Sequence, residues 1–253
     1  MFQTKRYRQI FAQHQLAGFE QIWNKKIEWF EEPNYRRGGW SGVGQLALQS
    51  NGDDLNVFVK KQQNHGRRTL FHPFSGEPTF RREFKRLGFL EVCRIKAPKV
   101  VFYEEQKVEG KVCAILATET LLDFQPLDVI AQDWHAVKHK TRLQKKKLLK
   151  TIAASLRDFH DTGLVHRALY PKHIFIKDAE NQPEVALIDL EKARFNILFL
   201  YRAYFDLAAL NRHAKYWSRS DRLYFFLQYF QVKRLTKPLR FMCRFILRRS
   251  MRR

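Results

Sequence analysis

The chain has few cysteines, few acidic residues and no long apolar run. Its three cysteines, Cys93, Cys113 and Cys243, are odd in number and far apart, which argues against a disulfide framework and a zinc site. No stretch is long and apolar enough to cross a bilayer, and the basic first residues are not followed by the apolar core of a signal peptide. We therefore expect a protein of the reducing cytoplasm that is neither secreted nor membrane-spanning.

The shortage of acidic residues leaves a large positive charge. The 253 residues include 47 Lys and Arg against 25 Asp and Glu, for a formal net charge of +22. Such a charge requires a polyanionic neighbour: nucleic acid, anionic lipid or a phosphorylated substrate. No recognised nucleic-acid module is present, and the basic residues are not interleaved with aromatics on one predicted sheet, so nucleic acid is the least favoured.

One stretch in the second half is the most informative. Apolar residues at spacings of three and four over 148–159 predict a buried helix, which Gly163 ends. Residues 173–177 and 184–188 are short apolar runs separated by turn residues, which predicts a hairpin that ends at Asp189. The loop between the helix and the hairpin reads His166-Arg167-Ala168-Leu169-Tyr170-Pro171-Lys172-His173.

Four glycines in the first half lie between two predicted strands. A hairpin turn rich in glycine can bring backbone N–H groups close to phosphates, because no Cβ blocks the approach. Such clusters are more often simple turns, so the glycines alone are a weak signal. The four residues are Gly38, Gly39, Gly42 and Gly44.

A lysine and a glutamate form the second signal of the first half. An alternating strand ends at Lys60, and a predicted helix over 80–87 carries Glu83, whose carboxylate can hold the Lys60 ammonium. The simpler interpretation is that Lys60 is a solvated strand-end charge and that Glu83 pairs with Arg86.

The order of helix, polar loop, hairpin and aspartate resembles the catalytic core of the protein-kinase-like fold. The loop has the spacing of the kinase motif H-R-D-L-x-x-x-N, except that Ala168 stands at the catalytic Asp and His173 at the Asn. Together with Arg37-Gly38-Gly39-Trp40-Ser41 and residues 78–87, it resembles the lipopolysaccharide kinase family, which includes the lipopolysaccharide core heptose kinases and InaA-like proteins, over about residues 19–230.

The resemblance implies an α+β, two-lobed protein-kinase-like fold with a small antiparallel-sheet N-lobe and a mainly helical C-lobe. We expect an N-terminal helical extension over 1–34, with one helix over about 12–30, then the N-lobe over 35–120 and the C-lobe over 121–236. Residues 237–253 predict a basic amphipathic helix, which either lies on an anionic bilayer or docks on the C-lobe. Its arginines lie four apart, at Arg240, Arg244, Arg248 and Arg252.

The resemblance also implies the roles of individual residues toward ATP and Mg²⁺ in a cleft between the lobes. The four glycines would cover the phosphates, Lys60 held by Glu83 would pair with them, and backbone groups around Glu119 would contact adenine. Asp189 and His173 would hold Mg²⁺, with His173 the weaker ligand because Mg²⁺ prefers oxygen. The structural residues would be His166, Arg167 and Asp206, with Asp206 bracing the backbone of the catalytic loop.

The interval from Asp189 to Asp206 bears on the substrate. Only 16 residues separate the two, which leaves no room for a long activation segment and favours a small or glycolipid substrate over a peptide. The resemblance implies an ATP-dependent phosphotransferase acting on a lipopolysaccharide core sugar hydroxyl at the cytoplasmic face of the inner membrane. The expected partners are lipopolysaccharide core or another anionic glycolipid, an anionic membrane surface, and envelope-assembly proteins.

The alanine at the catalytic position keeps a second function open. Ala168 lacks the carboxylate that accepts the substrate's proton, and general-base catalysis contributes roughly 10²–10⁴-fold to rate. The alternative is a pseudokinase that serves as a nucleotide-binding or scaffold partner in envelope assembly, and a nucleic-acid-binding protein is the lower alternative.

Overall fold

The computed structural model describes residues 1–36, 38–49, 54–67, 77–136 and 141–251. The chain divides into two compact units. The first unit comprises Met1–Phe89 and Pro98–Leu121, and the second comprises Leu90–Ala97 and Leu122–Arg253.

The first unit is built on an antiparallel sheet. Its elements are β1 (Phe2–Gln3), α1 (Lys5–Gln13), α2 (Phe19–Asn24), β2 (Asn34–Arg36), β3 (Gly39–Leu48), β4 (Leu55–Gln63), β5 (Gly66–Arg67), β6 (Glu77–Pro78), α3 (Thr79–Val92), β7 (Val100–Val108) and β8 (Lys111–Glu119). The six-stranded sheet has the order β1-β7-β8-β4-β3-β2.

The two faces of this sheet are covered by different helices. Residues alternate between the faces along each strand, so Val57 and Val59 point to one face and Lys60 to the other. The first face carries an apolar core that α1 and α2 cover, with Phe11 and Ile22 fully buried. The second face receives α3, whose buried residues Phe80, Glu83 and Leu87 recur at helical spacing.

The chain start differs from the sequence prediction of one helix over about 12–30. It forms two short helices, α1 and α2, and α2 ends at Asn24. Beyond it, Ile27 is buried and Trp29 bridges to Gly44 of β3. The helical spacing of the apolar residues was therefore misleading, because packing against the sheet overrides local helix propensity.

The second unit is mainly helical. Its elements are β9 (Gln125–Pro126), α4 (Leu127–Ala136), α5 (Arg142–Asp161), β10 (Leu164–Val165), β11 (Ile174–Lys177), β12 (Glu184–Leu187), β13 (Arg194–Phe195), α6 (Phe199–His213), α7 (Arg219–Tyr229) and α8 (Lys237–Met251).

The predicted helix end and hairpin of this unit are confirmed. Helix α5 stops before Gly163, which has a positive φ of 90° that glycine adopts without strain. Strands β11 and β12 pair with Ile174 opposite Leu187, and β9 adds a third strand beside β11. The prediction of an α+β fold with an antiparallel sheet followed by a mainly helical part is thereby confirmed.

The C-terminal helix packs on the second unit along one face. In α8 Ile246 is buried, and Ser250 donates to the carbonyl of Ala208 in α6 at 3.1 Å. Arg240, Arg244 and Arg248 are exposed, whereas Arg252 lies outside the described residues. No helix in the described part of the chain is long and apolar enough to cross a membrane.

Candidate functional site

The predicted lysine–glutamate pair is present in the first unit. Lys60 of β4 donates to both carboxylate oxygens of Glu83 in α3, at 2.6 and 2.8 Å. The Lys60 side chain is 19% exposed and that of Glu83 only 4%. The interpretation of these residues as solvated charges is therefore wrong, since the Lys60 ammonium is bound by both oxygens of a nearly buried carboxylate.

An uncharged side chain positions the helix that carries Glu83. The Gln62 amide oxygen accepts from the Thr79 hydroxyl at 2.9 Å and from the backbone N–H of Phe80 at 3.1 Å, at the first turn of α3. This oxygen satisfies a helix N-terminal N–H group that has no partner within the helix. No sequence motif marks Gln62, and its alternation with Lys60 on the same strand face is the signal that suggests it.

The four glycines lie differently from the expectation of one turn. Gly38 lies in the turn between β2 and β3 with a positive φ of 73°, whereas Gly39, Gly42 and Gly44 lie within β3. A Cβ on Gly42 would lie 2.8 Å from the Trp29 ring. Arg37, the first residue of the motif, lies outside the described residues.

Packing explains the inner glycines. A Cβ on Gly44 would lie 2.2 Å from Ile27, and one on Gly39 would lie 2.3 Å from the Gln63 carbonyl oxygen. Gly42 pairs with Lys61 and Val43 pairs with Lys60, so Gly42 and Gly44 face away from Lys60. Contact with phosphates stays a prediction for the glycines, of which Gly38 has nothing within 4 Å of the place of a Cβ.

The segment expected to contact adenine already uses two of its backbone donors. The N–H of Glu119 donates to the carbonyl of Lys99, and the N–H of Thr120 donates to the carbonyl of Asn56, both at 2.9 Å. The Glu119 carboxylate accepts from the Tyr7 hydroxyl at 2.5 Å. Adenine recognition here stays a prediction, and it would have to use groups other than these two N–H donors.

A second lysine of β4 is buried on the opposite face of the sheet. The Lys61 ammonium donates to the backbone carbonyls of Trp23 at 2.9 Å and Lys25 at 2.7 Å, at the end of α2. Burial lowers the pKa of Lys61 to about 8. Lys61 is thus a structural cation that caps a helix C-terminus, where the unsatisfied carbonyls favour positive charge.

In the second unit Asp206 holds the backbone of the loop that contains His166 and Arg167. Its carboxylate is fully buried and accepts from the backbone N–H of His166 at 2.6 Å and of Arg167 at 2.8 Å. Arg167 has a positive φ of 67°, a conformation that a non-glycine residue keeps only when its surroundings hold it. The structure therefore brings His166, Arg167 and Asp206 together in a structural role.

A buried histidine of α5 extends this brace. His160 contacts Asp206 through Nε2 at 3.0 Å and the Tyr229 hydroxyl through Nδ1 at 2.6 Å. The contacts link α5, α6 and α7 to the loop, and all three side chains are buried. No sequence signal marks this role of His160, because its partners Tyr229 and Asp206 lie far away in sequence.

His173 and Asp189 face each other beside the loop. His173 Nδ1 lies 2.8 Å from the carbonyl of Ala168, which only accepts, so this nitrogen carries the proton. Burial lowers the pKa of His173 below its ordinary value, although the Ala168 carbonyl and the Asp189 carboxylate favour its protonated form. In the neutral ring the Nε2 lone pair therefore faces Asp189 Oδ2 at 3.5 Å.

Two acceptors at this separation suit a cation between them. One imidazole nitrogen and one carboxylate form a donor set that fits a divalent metal, and the nitrogen suits Mn²⁺ better than Mg²⁺. Asp189 has a left-handed backbone with φ 60°, which aspartate tolerates better than most residues. The described residues contain no group of three His, Cys, Asp or Glu side chains that could hold a metal.

The alanine at the catalytic Asp position is completely enclosed. Ala168 is 0% exposed, and its carbonyl accepts from both His173 and the backbone N–H of Tyr170. The loop thus keeps its hydrogen-bonded form without a carboxylate at this position.

The family is decided by a sequence comparison. Residues 20–229 match the model of the lipopolysaccharide kinase (Kdo/WaaP) family. The chain belongs to the lipopolysaccharide kinase family. Membership in this family indicates, in general terms, kinase chemistry with ATP and a divalent metal, and it confirms the resemblance found in the sequence.

Two individual proteins are similar to this family member. Protein InaA of Escherichia coli (strain K12) is 35% identical over 179 residues, which cover 70% of this chain and 78% of InaA. The solved structure of WaaP in complex with acyl carrier protein matches with a TM-score of 0.71 at 21% identity, covering 98% of this chain and 97% of WaaP. The structural match confirms the kinase-like fold.

Proposed function

We propose that this lipopolysaccharide kinase family member is an ATP-dependent phosphotransferase that acts on a lipopolysaccharide core sugar hydroxyl, with low turnover. The observation that carries the proposal is the pair of Lys60 with both carboxylate oxygens of the nearly buried Glu83. Burying an ion pair is costly, so a protein gains little stability from this arrangement. The ion pair instead serves to hold the Lys60 ammonium at a fixed place, where it can bind the phosphates of ATP.

The metal would be held by Asp189 and His173, with phosphate oxygens and water completing its coordination. A bound divalent cation neutralises charge on the phosphates during transfer. The protein's own contribution is positional. The Ala168 carbonyl fixes the tautomer of His173 at 2.8 Å, and Asp206 holds the backbone of the loop that leads to His173. Asp189 is placed by the end of the β11–β12 hairpin.

The low turnover follows from Ala168. Most of the acceleration of phosphoryl transfer comes from positioning and electrostatic stabilisation, so ATP binding survives the loss of the base. Turnover falls by roughly 10²–10⁴-fold when no group accepts the hydroxyl proton. Residues 166–173 around Ala168 contain no Asp or Glu that could replace the missing carboxylate.

Nucleotide binding is the first measurement. ATP with Mg²⁺ or Mn²⁺ should raise the thermal unfolding temperature of the wild type and of a Lys99→Met control, which removes an exposed lysine of the same unit. The Lys60→Met variant should show no such rise while remaining folded by circular dichroism. A wild type that ignores ATP with either metal overturns the proposal.

Phosphotransfer is the second measurement. Transfer of radiolabelled phosphate from ATP to purified lipopolysaccharide core should be slow in the wild type and absent in Asp189→Asn. Ala168→Asp should raise the rate if the folded variant accommodates the carboxylate, for which the enclosed position must open. An unchanged rate in a folded Ala168→Asp variant contradicts the missing-base argument.

The second candidate is a pseudokinase that serves as a nucleotide-binding or scaffold partner in envelope assembly. The complete burial of Ala168 favours it, because a closed position leaves no place for a base. Tight ATP binding without any transfer supports this candidate. Acyl carrier protein, present in the WaaP structure, belongs among the partners to test in a pull-down with the purified chain.

We infer that the protein works at an anionic surface on the cytoplasmic side of the inner membrane, where its glycolipid acceptor would lie. The net charge of +22 supports this, as do the exposed arginines of α8 at Arg240, Arg244 and Arg248. Nucleic acid remains the lower alternative, and a salt-dependent shift with duplex or single-stranded oligonucleotides at physiological salt would favour it.

A further inference from the structure

A run of exposed apolar side chains follows Asp189 in the second unit. In residues 195–201, the apolar segment, five of the seven residues are large, apolar and exposed. Their exposed fractions are Phe195 53%, Ile197 95%, Leu198 62%, Leu200 59% and Tyr201 41%. A contiguous exposed apolar patch of this kind marks an interaction site on a protein surface.

The apolar segment is held in place from within the second unit. The backbone N–H of Asn196 donates to the carbonyl of Gly163 at 2.9 Å, and its side chain accepts from the N–H of Leu198 at 2.9 Å. Phe199 points inward and stacks on Tyr229, with ring centroids 6.0 Å apart. The outward side chains therefore sit on a fixed backbone, and ordering the segment costs little on binding.

The charges along the apolar segment are mostly positive. Residues 192–205 contain Lys192, Arg194 and Arg202 and no acidic residue. Arg157 lies over the Phe199 ring, at 4.2 Å from its centroid, and is paired with Asp161 at 3.0 Å. Arg202 is buried, so the exposed Lys192 and the partly exposed Arg194 are the cations beside the segment. An exposed apolar run flanked by cations is complementary to an anionic lipid surface, which offers both an acyl region and negative headgroups.

We propose that the apolar segment inserts into the interfacial layer of an anionic phospholipid bilayer, with Ile197, Leu198 and Leu200 as its inserted side chains. The segment begins six residues after Asp189, so insertion holds the metal-site aspartate near the membrane surface. Lys192 and Arg194 beside the segment, together with the net charge of +22, favour an anionic lipid surface over a purely apolar protein groove. Membrane insertion depends on the exposed apolar side chains and the neighbouring cations, and it is expected for a kinase and a pseudokinase alike.

The apolar segment differs from α8, which also has cations and exposed aromatics. Helix α8 has a row of exposed arginines, which would attract the protein to anionic headgroups over a distance. The apolar segment would instead contact the acyl region of the bilayer. Burial of one Leu or Ile side chain contributes enough to change a partition coefficient by about tenfold or more. Loss of the segment should therefore weaken binding strongly even when all basic residues are kept.

The test is binding of the full chain to vesicles of phosphatidylglycerol mixed with phosphatidylcholine, measured by cosedimentation. The Ile197→Glu/Leu198→Glu variant should bind at least tenfold more weakly than the wild type. A control with the same charge change, Leu143→Glu/Val129→Glu, replaces exposed apolar residues outside the apolar segment, of which Leu143 is 77% exposed and Val129 44%. This control should lose clearly less binding than the segment variant, because it carries the same charge change but keeps the inserted side chains.

A second readout does not depend on the stability of a charged variant. Ile197→Cys, in a background of Cys93→Ser and Cys243→Ser, is labelled with an environment-sensitive dye; the remaining Cys113 is buried. The label should shift to the blue with the anionic vesicles and remain unchanged with pure phosphatidylcholine, and a label at Leu143→Cys should not shift. Equal losses in both Glu variants, or a label at 197 that stays in water, overturn the proposal.

Self-association is the remaining outcome and is settled by analytical ultracentrifugation without lipid. A wild type that dimerises, with a monomeric Ile197→Glu/Leu198→Glu variant, would assign the apolar segment to a second copy of the chain and refute the membrane assignment. A monomeric wild type that loses vesicle binding with the segment supports it.

Discussion

Lys61 should make the stability of the protein increase with pH above neutrality. Its ammonium is buried against the carbonyls of Trp23 and Lys25, and burial lowers its pKa from 10.5 to about 8. In the unfolded chain the lysine keeps its ordinary pKa. Between these two values the unfolded state binds more protons than the folded state, so the free energy of unfolding rises with pH in that window.

The magnitude follows from the shift. A lowering of about 2.5 pKa units, from 10.5 to about 8, corresponds to about 3 kcal/mol between the charged and neutral forms. Linkage spreads this gain over the window, so about 1 kcal/mol should appear between about pH 7 and about pH 9. Lys61 itself is only 3% exposed, which keeps solvent screening small.

The assay is urea denaturation of the wild type and Lys61→Met at matched pH values. Methionine removes the titrating group, and the difference between the two proteins cancels the titration of all other residues. At neutral pH the two should be similar, because the variant avoids a buried charge but leaves two carbonyls without a donor. The wild type should then gain on the variant as the pH rises.

One result would refute this reasoning. If the difference between the wild type and Lys61→Met is flat from about pH 7 to about pH 9, Lys61 is not deprotonated in that window and its burial does not depress its pKa. If the stability of the wild type relative to Lys61→Met falls as the pH rises, the charged form of Lys61 stabilises the folded state, which is the opposite of the proposed cause.

Three further predictions concern the candidate site. Glu83→Gln should cost about 3 kcal/mol of unfolding free energy and weaken ATP binding, measured by urea denaturation and ATP titration, because it leaves the Lys60 charge without a counter-ion; unchanged values would contradict the role of the pair. Asp206→Asn should cost about 2–4 kcal/mol in urea denaturation, because an amide donor then faces a loop N–H, whereas Asp161→Asn at an exposed pair should cost less than about 1 kcal/mol. His173→Asn should weaken Mn²⁺ binding several-fold relative to Mg²⁺ in electron paramagnetic resonance competition; an unchanged preference would exclude His173 as a ligand.

Local signals and the family pattern were enough for much of the candidate site. Gly163 ends its helix because glycine adopts the positive φ that this position requires. The two apolar runs after the loop form a hairpin because turn residues separate them. The pairing of Lys60 with Glu83 came from the spacing known for the kinase-like fold. None of these required knowledge of distant contacts.

The remaining features depend on contacts between residues far apart in the sequence. The helical spacing before residue 30 gave one helix where there are two, because Trp29 bridges to β3 instead of continuing α2. The cluster at Gly38 to Gly44 indicated a phosphate loop, but Gly42 and Gly44 make room for Trp29 and Ile27. Spacing alone does not distinguish a glycine that faces a ligand from one that faces a side chain.

Exposure was the second property that the sequence did not reveal. The apolar residues of 195–201 have the composition of a core segment, yet Ile197 is 95% exposed. Whether an apolar side chain is buried or exposed depends on how the backbone is oriented against its neighbours. Here the contacts of Asn196 with Gly163 and of Phe199 with Tyr229 set that orientation.

The small glycine pair under Trp29 and Ile27 has a consequence for any shortened form of the protein. The first thirty residues fill spaces that only glycine leaves open, and Phe11 and Ile22 close the apolar side of the same sheet. A fragment that starts after residue 34 would expose the apolar face of the sheet and would leave the spaces beside Gly42 and Gly44 of β3 unfilled. We expect such a fragment to aggregate, so the leading segment is part of the folding unit and not an appendage to it.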